Sequence, residues 1–473
     1  MKKRKFTALV LSAALFLTGA AFAEDDGYRR FETITNYAAN LFIDESVTQS
    51  DIMINALQSV LKDNPELTNQ LIKAGFEGLD DYSEFYTAEE YELFKKNLNH
   101  IVYGIGVVIQ QKGDYVTIMS VLDGRAKAVG IMEGDMIAKV NGIDVKGETV
   151  DKVQDLVVGE NGTEVTITFI RGEREFEETI GRGEVKGTTV AHSVLEGNIG
   201  YIRVVSFSID TDKEFLNALE ELDKENVTNI IIDLRDNPGG YMDAAVNIAS
   251  LLVPKGVIVS AVYRNEWENE TYYSELEKPK YKLAVLVNEN TASASEILSS
   301  AIQDSGVGIL IGDNTYGKGV IQQMYDIWDG CAFKITTGKY FTRNGKDING
   351  GGLRPDEFVD NITREIDRSK YTPFSYNEKP AVTQSSDIVM ATKERLKTLG
   401  YYYGEIDEYF DYALEKAVIT FQAEHDLFPY GVIDISTQAS IENAIIEARE
   451  LVDRQLIFAY EYFGGKAEDL EKE

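Results

Sequence analysis

The chain has 473 residues, enough for several domains of roughly 100–200 residues each. Its formal net charge of −32 argues against nucleic acid as a partner, and against electrostatic adhesion to anionic lipid, because both need clustered lysine and arginine. The single cysteine excludes an intramolecular disulfide and a metal site built from several cysteines.

The first residues indicate export. "MKKRKF" is a basic segment, and "TALVLSAALFLTGA" is an apolar run too short for a comfortable membrane span. "AFA", which ends at Ala23, fits a small-x-small cleavage site. We therefore expect a signal peptide at residues 1–23, a mature chain that starts at Glu24 and an extracytoplasmic location; an uncleaved anchor is the alternative.

The pattern along the chain predicts a multidomain α/β protein. Apolar residues at three- and four-residue spacing predict helices first, and short alternating strands with Asn-Gly turns follow. Strands then alternate with helices, which favours an α/β core, before a linker and a small helical unit. The expected segments are a signal peptide (1–23), an N-terminal helical region (24–100), a β-rich module (101–183), an α/β core (184–365), a linker (366–382), a three-helix domain (383–447) and a C-terminal helix with a tail (448–473).

A strand-to-helix turn in "NENTASASEILSSA" presents two candidate nucleophiles, Ser293 and Ser295, although the same turn could be an ordinary helix N-cap. A serine nucleophile needs a base to remove its proton. The three histidines are better explained as structural residues, and no HExxH pair indicates a zinc site. These histidines are His100, His192 and His425.

A lysine can take the place of histidine, because a neutral amine accepts a proton from a hydroxyl when burial lowers the pKa of the lysine. The candidate is Lys318 in "DNTYGKGVIQQ", where flanking glycines let the main chain approach closely. Gln322 follows and could orient the amine without adding charge. The alternative is a glycine-rich turn with a solvated lysine. In "DLRDNPGG", main-chain N–H groups after a predicted strand could stabilise an oxyanion, but Pro-Gly-Gly is also an ordinary turn.

Four motifs occur together in this order: "LRDNPGG", "NENTASASEI", "YGKGVIQ" and "GKDINGGGLRPDE". With the β-rich module ahead of them, residues 30–365 closely resemble the carboxyl-terminal processing (tail-specific) proteases, which use a Ser/Lys pair. The resemblance implies that Ser293 is the nucleophile and Lys318 the general base, with Gln322 as the third residue of the site. It also implies an oxyanion hole made by the N–H of Ala294 with that of Gly239 or Gly240, and it implies no metal and no cofactor.

The β-rich module is similar to the PDZ domain of that family. "YGIGVVI" matches the carboxylate-binding loop, in which the N–H groups of Gly104, Ile105 and Gly106 would face a peptide C-terminus. The module departs from the family at Gly124-Arg125, where Ser-Pro is usual, and at Val158-Gly159, where Arg-Gly is usual. The second departure removes the arginine on which PDZ gating would depend.

Residues 384–445 are similar to three-helix peptidoglycan-binding domains. The family's Asp-Gly-x-Phe-Gly turn reads Asp407 to Asp411 here, without either glycine, so a purely structural appendage is the alternative.

The sequence therefore predicts an exported serine endopeptidase of the cell envelope that captures protein C-terminal tails through the PDZ domain and cleaves peptide bonds. Expected partners are proteins with exposed C-terminal tails and, through the three-helix domain, peptidoglycan; the N-terminal helical region could serve a homodimer. The rival hypothesis is a catalytically inactive PDZ scaffold attached to the cell wall. The presence of both Ser293 and Lys318 argues against the scaffold.

Overall fold

The computed structural model describes residues 27–122 and 124–470, so the predicted signal peptide lies outside the described residues. Within those two ranges, no helix combines the length and the apolar character needed to cross a bilayer. The contacts divide the chain into two compact units. One comprises residues 27–87 with Tyr325–Lys334, and the other comprises residues 88–324 with residues 335–470.

The first unit is mainly helical, as its apolar spacing predicted. Thr48 and Asp51 form a reciprocal capping box at the start of its second helix, which supplies acceptors to otherwise unpaired N–H groups. A short strand pairs antiparallel with residues 332–334, with Phe85 opposite Phe333. The elements of this unit before residue 88 are α1 (Gly27–Leu41), α2 (Gln49–Asp63), a 3-10 turn (Pro65–Leu67), α3 (Thr68–Glu77) and β1 (Glu84–Tyr86).

The second unit begins with a helix and a twisted antiparallel sheet in the strand order β3-β4-β5-β7-β8, with β6 beside β5. One face of this sheet and the helix α6 share a core that includes Val116, Ile137 and Val153. This is the expected PDZ architecture. Its elements are α4 (Ala88–Leu98), β2 (Ile101–Gly104), β3 (Val107–Lys112), β4 (Tyr115–Val121), α5 (Gly124–Ala128), β5 (Met136–Val140), β6 (Ile143–Asp144), α6 (Val150–Val157), β7 (Glu164–Arg171), β8 (Arg174–Gly181) and β9 (Gly183–Lys186).

A six-stranded sheet in the order β10-β11-β12-β15-β16-β19 forms the α/β core. Its strands run parallel except β10, which pairs antiparallel with β11. The elements between residues 190 and 365 are β10 (Val190–Leu195), β11 (Ile199–Val204), α7 (Thr211–Lys224), β12 (Asn229–Asp233), α8 (Met242–Leu252), β13 (Gly256–Tyr263), a 3-10 turn (Glu266–Glu268), β14 (Glu270–Ser274), β15 (Lys282–Val287), α9 (Ala294–Ser305), β16 (Gly308–Gly312), β17 (Val320–Asp326), a 3-10 turn (Trp328–Gly330), β18 (Ala332–Thr342), β19 (Glu357–Phe358) and β20 (Ile362–Glu365).

Side chains alternate between the two faces of this sheet, as strand geometry requires. Ile230, Ile232 and Val285 point to the face covered by α7, α8 and α9. Ile231 and Ala284 point to the opposite face. Because both faces of the sheet are covered, the sequences of its strands are nearly continuous apolar runs.

Three helices form the C-terminal module, as predicted. Ala417, Val418 and Phe421 of its second helix lie in a core of its own. The elements after β20 are a 3-10 turn (Arg368–Lys370), α10 (Asp387–Thr398), α11 (Tyr412–Glu424), α12 (Ile435–Glu447), β21 (Arg449–Val452), α13 (Arg454–Tyr462) and α14 (Ala467–Leu470).

The expectation of a C-terminal helix with a tail at 448–473 was partly wrong, because residues 449–452 form a strand. That strand pairs antiparallel with β20, so Glu365 lies opposite Arg449. Its main-chain groups pair with a strand more than eighty residues earlier. The local periodicity of the sequence does not predict such a long-range pairing. The C-terminal module is thus inserted between two neighbouring strands, and α13 returns to the core.

Candidate active site

The predicted nucleophile lies in the turn that joins β15 to α9. Ser293 has φ 58° and ψ −116°, a backbone conformation that non-glycine residues rarely adopt and that costs on the order of 1–3 kcal/mol. Its side chain is half-buried. Ser295 is fully buried and donates from Oγ to the main-chain oxygen of Asn237 at 3.0 Å. Of the two candidate serines, Ser293 is therefore the accessible one.

A buried carboxylate, Glu296, lies in the first turn of α9. Its Oε2 accepts the N–H of Ser293 and the N–H of Lys318, each at 2.9 Å. Its Oε1 accepts the N–H of Gly317 at 2.7 Å and the hydroxyl of Thr315 at 2.5 Å. The positive end of the helix dipole also favours a carboxylate in the first turn. One side chain thereby connects the serine turn to the loop that carries the lysine.

The predicted base, Lys318, lies in the loop between β16 and β17, hereafter the lysine loop (residues 313–319), and is half-buried. Its flanking glycines pack against the loop around residue 350. A Cβ on Gly317 would come within 2.6 Å of the Gly352 nitrogen, and one on Gly319 within 2.7 Å of the Asn349 nitrogen. The close approach expected from the glycines therefore exists.

Gln322 lies on β17, and its Nε2 donates to Thr336 Oγ1 on β18 at 3.2 Å. This bond holds the amide of Gln322 against the neighbouring strand. Tyr340, also on β18 and almost fully buried, donates its hydroxyl to the main-chain oxygen of Ser293 at 3.3 Å. Strand β18 thus contacts the serine turn through Tyr340.

The Pro-Gly-Gly turn lies beside the serine turn; we call residues 234–240 the glycine loop. A Cβ on Gly239 would come within 2.8 Å of the Ser293 Cβ, so a glycine is required for this approach. The N–H of Gly239 donates to Asn237 Oδ1 at 2.9 Å. Among the described residues, no acceptor is recorded for the N–H of Gly240 or of Ala294. These two amides are therefore available to a ligand.

Two of the three histidines, His100 and His425, contact other side chains, and the third is exposed. His100 Nε2 contacts Ser206 Oγ at 2.6 Å, and His425 stacks on Phe421 with ring centroids 3.9 Å apart. His192 is exposed on the edge strand β10. These placements are consistent with structural histidines.

The expected peptide site of the PDZ domain is a groove of about 340 Å³ between β3 and α6. Gly104, Ile105 and Gly106 line one end of it. Among the described residues, no acceptor is recorded for the N–H of Ile105 or of Gly106, and Gly106 has φ 77°. The rest of the wall is mostly apolar, and its polar side chains are those of Gln154, Lys186 and Thr188. The groove therefore combines free N–H donors at one end with an apolar floor.

At Val158-Gly159, where Arg-Gly is usual in PDZ domains of the resembled family, the side chain of Arg182 lies beside Gly159. Arg182 Nε donates to the main-chain oxygen of Val157 at 2.7 Å and its Nη2 to that of Leu156 at 3.2 Å. It thereby caps the C-terminal end of α6, a favourable position for a cation. A Cβ on Gly159 would come within 2.7 Å of this guanidinium. Sequence reasoning did not find this role.

In the C-terminal module, a fully buried lysine supports the turn that lacks its glycines. Lys393 Nζ contacts Asp407 Oδ1 at 2.8 Å and Asp411 Oδ2 at 2.5 Å. Asp411 also accepts the hydroxyl of Tyr402 at 2.7 Å, and burial, together with this carboxylate, raises the pKa of Tyr402. Hydrogen bonds from Lys393 and Tyr402 thus stabilise the turn at residues 407–411, which lacks the two glycines of the motif that it resembles.

Three protein-family models match the chain. They are peptidase family S41 at residues 198–359, the PDZ domain at residues 93–170 and a peptidoglycan-binding domain at residues 385–441. They correspond to the core, the β-rich module and the C-terminal module.

Curated relatives extend the similarity over most of the chain. A "Probable CtpA-like serine protease" from Staphylococcus epidermidis is 31% identical over 401 residues, which cover 82% of this chain and 80% of that protein. One from Staphylococcus aureus is 33% identical over 392 residues, which cover 80% and 77%. Among solved structures, the photosystem II D1 C-terminal processing protease is 28% identical, covers 70% of this chain and 92% of its own, and has a TM-score of 0.41.

The matched family models and the curated relatives define a serine-type endopeptidase that carries a PDZ domain and a peptidoglycan-binding domain. The chain belongs to peptidase family S41.

Proposed function

We propose that this chain is an exported endopeptidase that captures protein C-terminal tails in its PDZ groove and cleaves them with Ser293 as nucleophile and Lys318 as general base. The observation that carries the proposal is the position of Glu296. Its buried carboxylate binds the main chain of both Ser293 and Lys318, so the serine turn and the lysine loop are held together by one side chain.

In the proposed reaction, Ser293 Oγ attacks the scissile carbonyl carbon while the neutral amine of Lys318 takes the hydroxyl proton. The negative oxygen of the tetrahedral intermediate accepts hydrogen bonds from the main-chain N–H groups of Ala294 and of the glycine loop. Since the Gly239 amide already donates to Asn237, the Gly240 amide is the better second donor. The lysine then returns its proton to the departing amine, and a water molecule hydrolyses the acyl-enzyme.

Gln322 has the role of orienting the amine. Its amide nitrogen is engaged by Thr336, which leaves the amide oxygen as the acceptor for an N–H of Lys318. An uncharged partner suits this task, because a carboxylate would favour the protonated amine, which cannot act as a base.

The PDZ groove supplies substrate selection. A peptide carboxylate would accept the N–H groups of Gly104, Ile105 and Gly106, and the peptide would add as a strand beside β3. The apolar wall of the groove favours an apolar terminal side chain.

Export and wall attachment belong to the same proposal. The signal segment 1–23 would be removed, and the C-terminal module would retain the enzyme on peptidoglycan in the cell envelope. N-terminal sequencing of the secreted protein should begin at Glu24; an intact Met1 would refute export by cleavage. Retention on purified sacculi should require the C-terminal module, and equal retention without it would refute wall binding. The N-terminal helical region would serve a homodimer, which sedimentation of the mature chain would test.

Four variants test the catalytic assignment. Ser293→Ala and Lys318→Ala should each abolish peptide cleavage, because the two residues act as one unit. Lys318→Arg should also be inactive, since a guanidinium stays protonated. Ser295→Ala is the matched control and should retain turnover. Substantial cleavage by Lys318→Ala would refute the base assignment, and a wild-type chain that cleaves nothing and reacts with no serine-directed probe would favour the inactive scaffold.

A further inference from the structure

The helix α13 completes the fold of the protease core, although it follows the C-terminal module in the sequence. Ala459 and Tyr460 of this helix are fully buried with Ile231, Leu286 and other residues on the sheet face opposite α7, α8 and α9. The hydroxyl of Tyr460 also donates to the main-chain oxygen of Glu196 at 2.8 Å. Removing α13 would expose this face of the sheet.

The N-terminus of α13 contacts Arg235 of the glycine loop. Asp453 is the N-cap of the helix, and its Oδ1 accepts both the N–H of Leu456 at 3.0 Å and Nη1 of Arg235 at 2.7 Å. Gln455 Oε1 accepts the same guanidinium nitrogen at 3.2 Å. A residue 218 positions away in the sequence is thus hydrogen-bonded to the helix cap.

The remaining nitrogens of Arg235 bind a buried carboxylate. Nε and Nη2 donate to the two oxygens of Asp233 at 2.9 and 2.7 Å, a bidentate arrangement that fixes the plane of the guanidinium. Asp233 is fully buried at the end of β12 and also accepts the hydroxyl of Tyr201. Arg235 therefore connects the core sheet to the cap of α13 through charge-assisted hydrogen bonds.

Two residues beyond Arg235, the glycine loop contacts the serine turn. Asn237 is fully buried, and its main-chain oxygen accepts the N–H of Ala292 and the hydroxyl of Ser295, both at 3.0 Å. Its Oδ1 accepts the N–H of Gly239. The conformation of the main chain at Arg235 therefore influences the direction of the N–H groups in the glycine loop.

We propose that Arg235 is a positioning residue for the oxyanion hole, and that Asp453 at the N-cap of α13 holds it in place. The glycine loop would be fixed at one end by the C-terminal helix and at the other by the serine turn. This inference rests on the proposed function, since it assumes that the glycine loop stabilises the oxyanion. It makes α13 a part of the catalytic apparatus rather than a tail of the C-terminal module.

The geometry explains why an arginine is needed. Its planar fork contacts two carboxylates in different directions at once, which the single amine of a lysine does not reproduce. Loss of the charge on Asp453 would leave Arg235 bound to Asp233 but without its ionic partner on α13. A displacement of about 1 Å at a reacting centre can reduce a rate on the order of a hundredfold.

The test uses Asp453→Asn and Arg235→Gln in the full chain. Asparagine is as good an N-cap as aspartate, so α13 keeps its start while the charge is lost. We expect kcat for a soluble peptide to fall by about tenfold to a hundredfold with little change in KM, because an oxyanion donor acts in the transition state. The double variant should lose no more than Arg235→Gln alone, because the two residues act through one contact.

The matched control is Asp434→Asn, which makes the same change at the N-cap of α12 in the C-terminal module, where the carboxylate accepts the N–H of Thr437. It should keep the wild-type kcat. A wild-type kcat in Asp453→Asn, or an equal fall in Asp434→Asn, would overturn the inference. Assays run well below the measured Tm of each variant separate this effect from unfolding, and if Arg235→Gln does not fold, Asp453→Asn decides alone. Cleavage by Ser293→Ala would instead overturn the proposed function.

Discussion

The main-chain N–H of Lys318 donates to the carboxylate of Glu296 at 2.9 Å, across 22 residues of sequence. The same oxygen accepts the N–H of Ser293 at 2.9 Å. A second link joins the two segments, since the N–H of Tyr316 donates to the main-chain oxygen of Thr291 at 3.0 Å. The serine turn and the lysine loop are thus held together through main-chain groups, bound by the Glu296 carboxylate and by the bond between Tyr316 and Thr291.

Replacement of Glu296 by glutamine should reduce both stability and activity. The amide keeps the shape of the side chain but presents an NH₂ group to donors that need an acceptor. We expect the free energy of unfolding to fall by about 2 kcal/mol or more, because hydrogen bonds to a buried charged group are lost. Urea unfolding and peptide cleavage measure the two effects. Glu289→Gln, an exposed change in the same turn, is the control. Wild-type stability and kcat in Glu296→Gln would show that the carboxylate is dispensable.

Cleavage should rise with pH. A lysine with an ordinary pKa near 10.4 is protonated at neutral pH, and only the neutral amine accepts the proton of Ser293. The fraction of neutral Lys318 grows as pH increases, so kcat/KM should show an ascending limb. A peptide without groups that titrate in the assay range isolates the enzyme's contribution. A kcat/KM that stays constant or falls as the pH rises above neutral would contradict lysine as the base.

Replacement of Gly319 by alanine should disturb the lysine loop. The added methyl group would come within 2.7 Å of the Asn349 nitrogen, which is main chain and cannot rotate away. We expect a loss of activity larger than the loss of stability, since the shift occurs beside Lys318. Cleavage rates and thermal unfolding measure both. Gly351→Ala adds the same group where no atom lies within 4 Å and should be nearly neutral. Equal activity in the two variants would refute the steric argument.

Binding to the PDZ groove should require a free carboxylate at the end of the peptide. Amidation removes the charge that the N–H groups of Ile105 and Gly106 would bind. Hydrogen bonds to charged groups contribute roughly 1.5–3 kcal/mol, so affinity should fall by about tenfold or more. Calorimetric titration of acid and amide forms of one apolar-ended peptide tests this expectation. The same affinity for both forms would count against carboxylate capture.

The C-terminal module should be removable if α13 is kept. Glu365 lies opposite Arg449 in an antiparallel pair, so a two-residue Asn-Gly turn could replace residues 366–448 and close the strands as a hairpin. The shortened chain should still cleave a soluble peptide. A chain that ends at Glu365 should not, because it lacks the helix that covers the core sheet. If both chains behaved alike, the assignment of α13 to the core would be wrong.

Much of the fold was predictable because local patterns and tertiary packing agree. The runs that became β12 and β15 are mostly apolar, and their alternation with helical segments predicted an α/β core. The strand β21 was missed. Its four residues have no strong strand pattern of their own, and their pairing with β20 depends on a fold that brings distant segments together.

The residues of the candidate site could be predicted from the sequence where they stand in short motifs. Ser293, Lys318, Gln322 and the two glycines stand in recognisable sequences, and the structure places the serine turn beside both the glycine loop and the lysine loop. The supporting residues were missed. Glu296 follows the serines in the sequence, but its motif gives no sign of a hydrogen bond to Lys318, and Tyr340 lies in a strand whose pattern gives no sign of a hydrogen bond to Ser293.

The sequence by itself determined the order of modules, the class of reaction and the residues that could carry it, because turns, apolar runs and reactive side chains are local properties of the chain. Only the tertiary structure decided which of these groups meet. Ser295 is buried, the Gly239 amide donates to Asn237, and Arg235 contacts Asp453 near the other end of the chain. Burial and hydrogen bonding depend on what lies across the fold from each residue, and that is fixed by packing rather than by sequence neighbours.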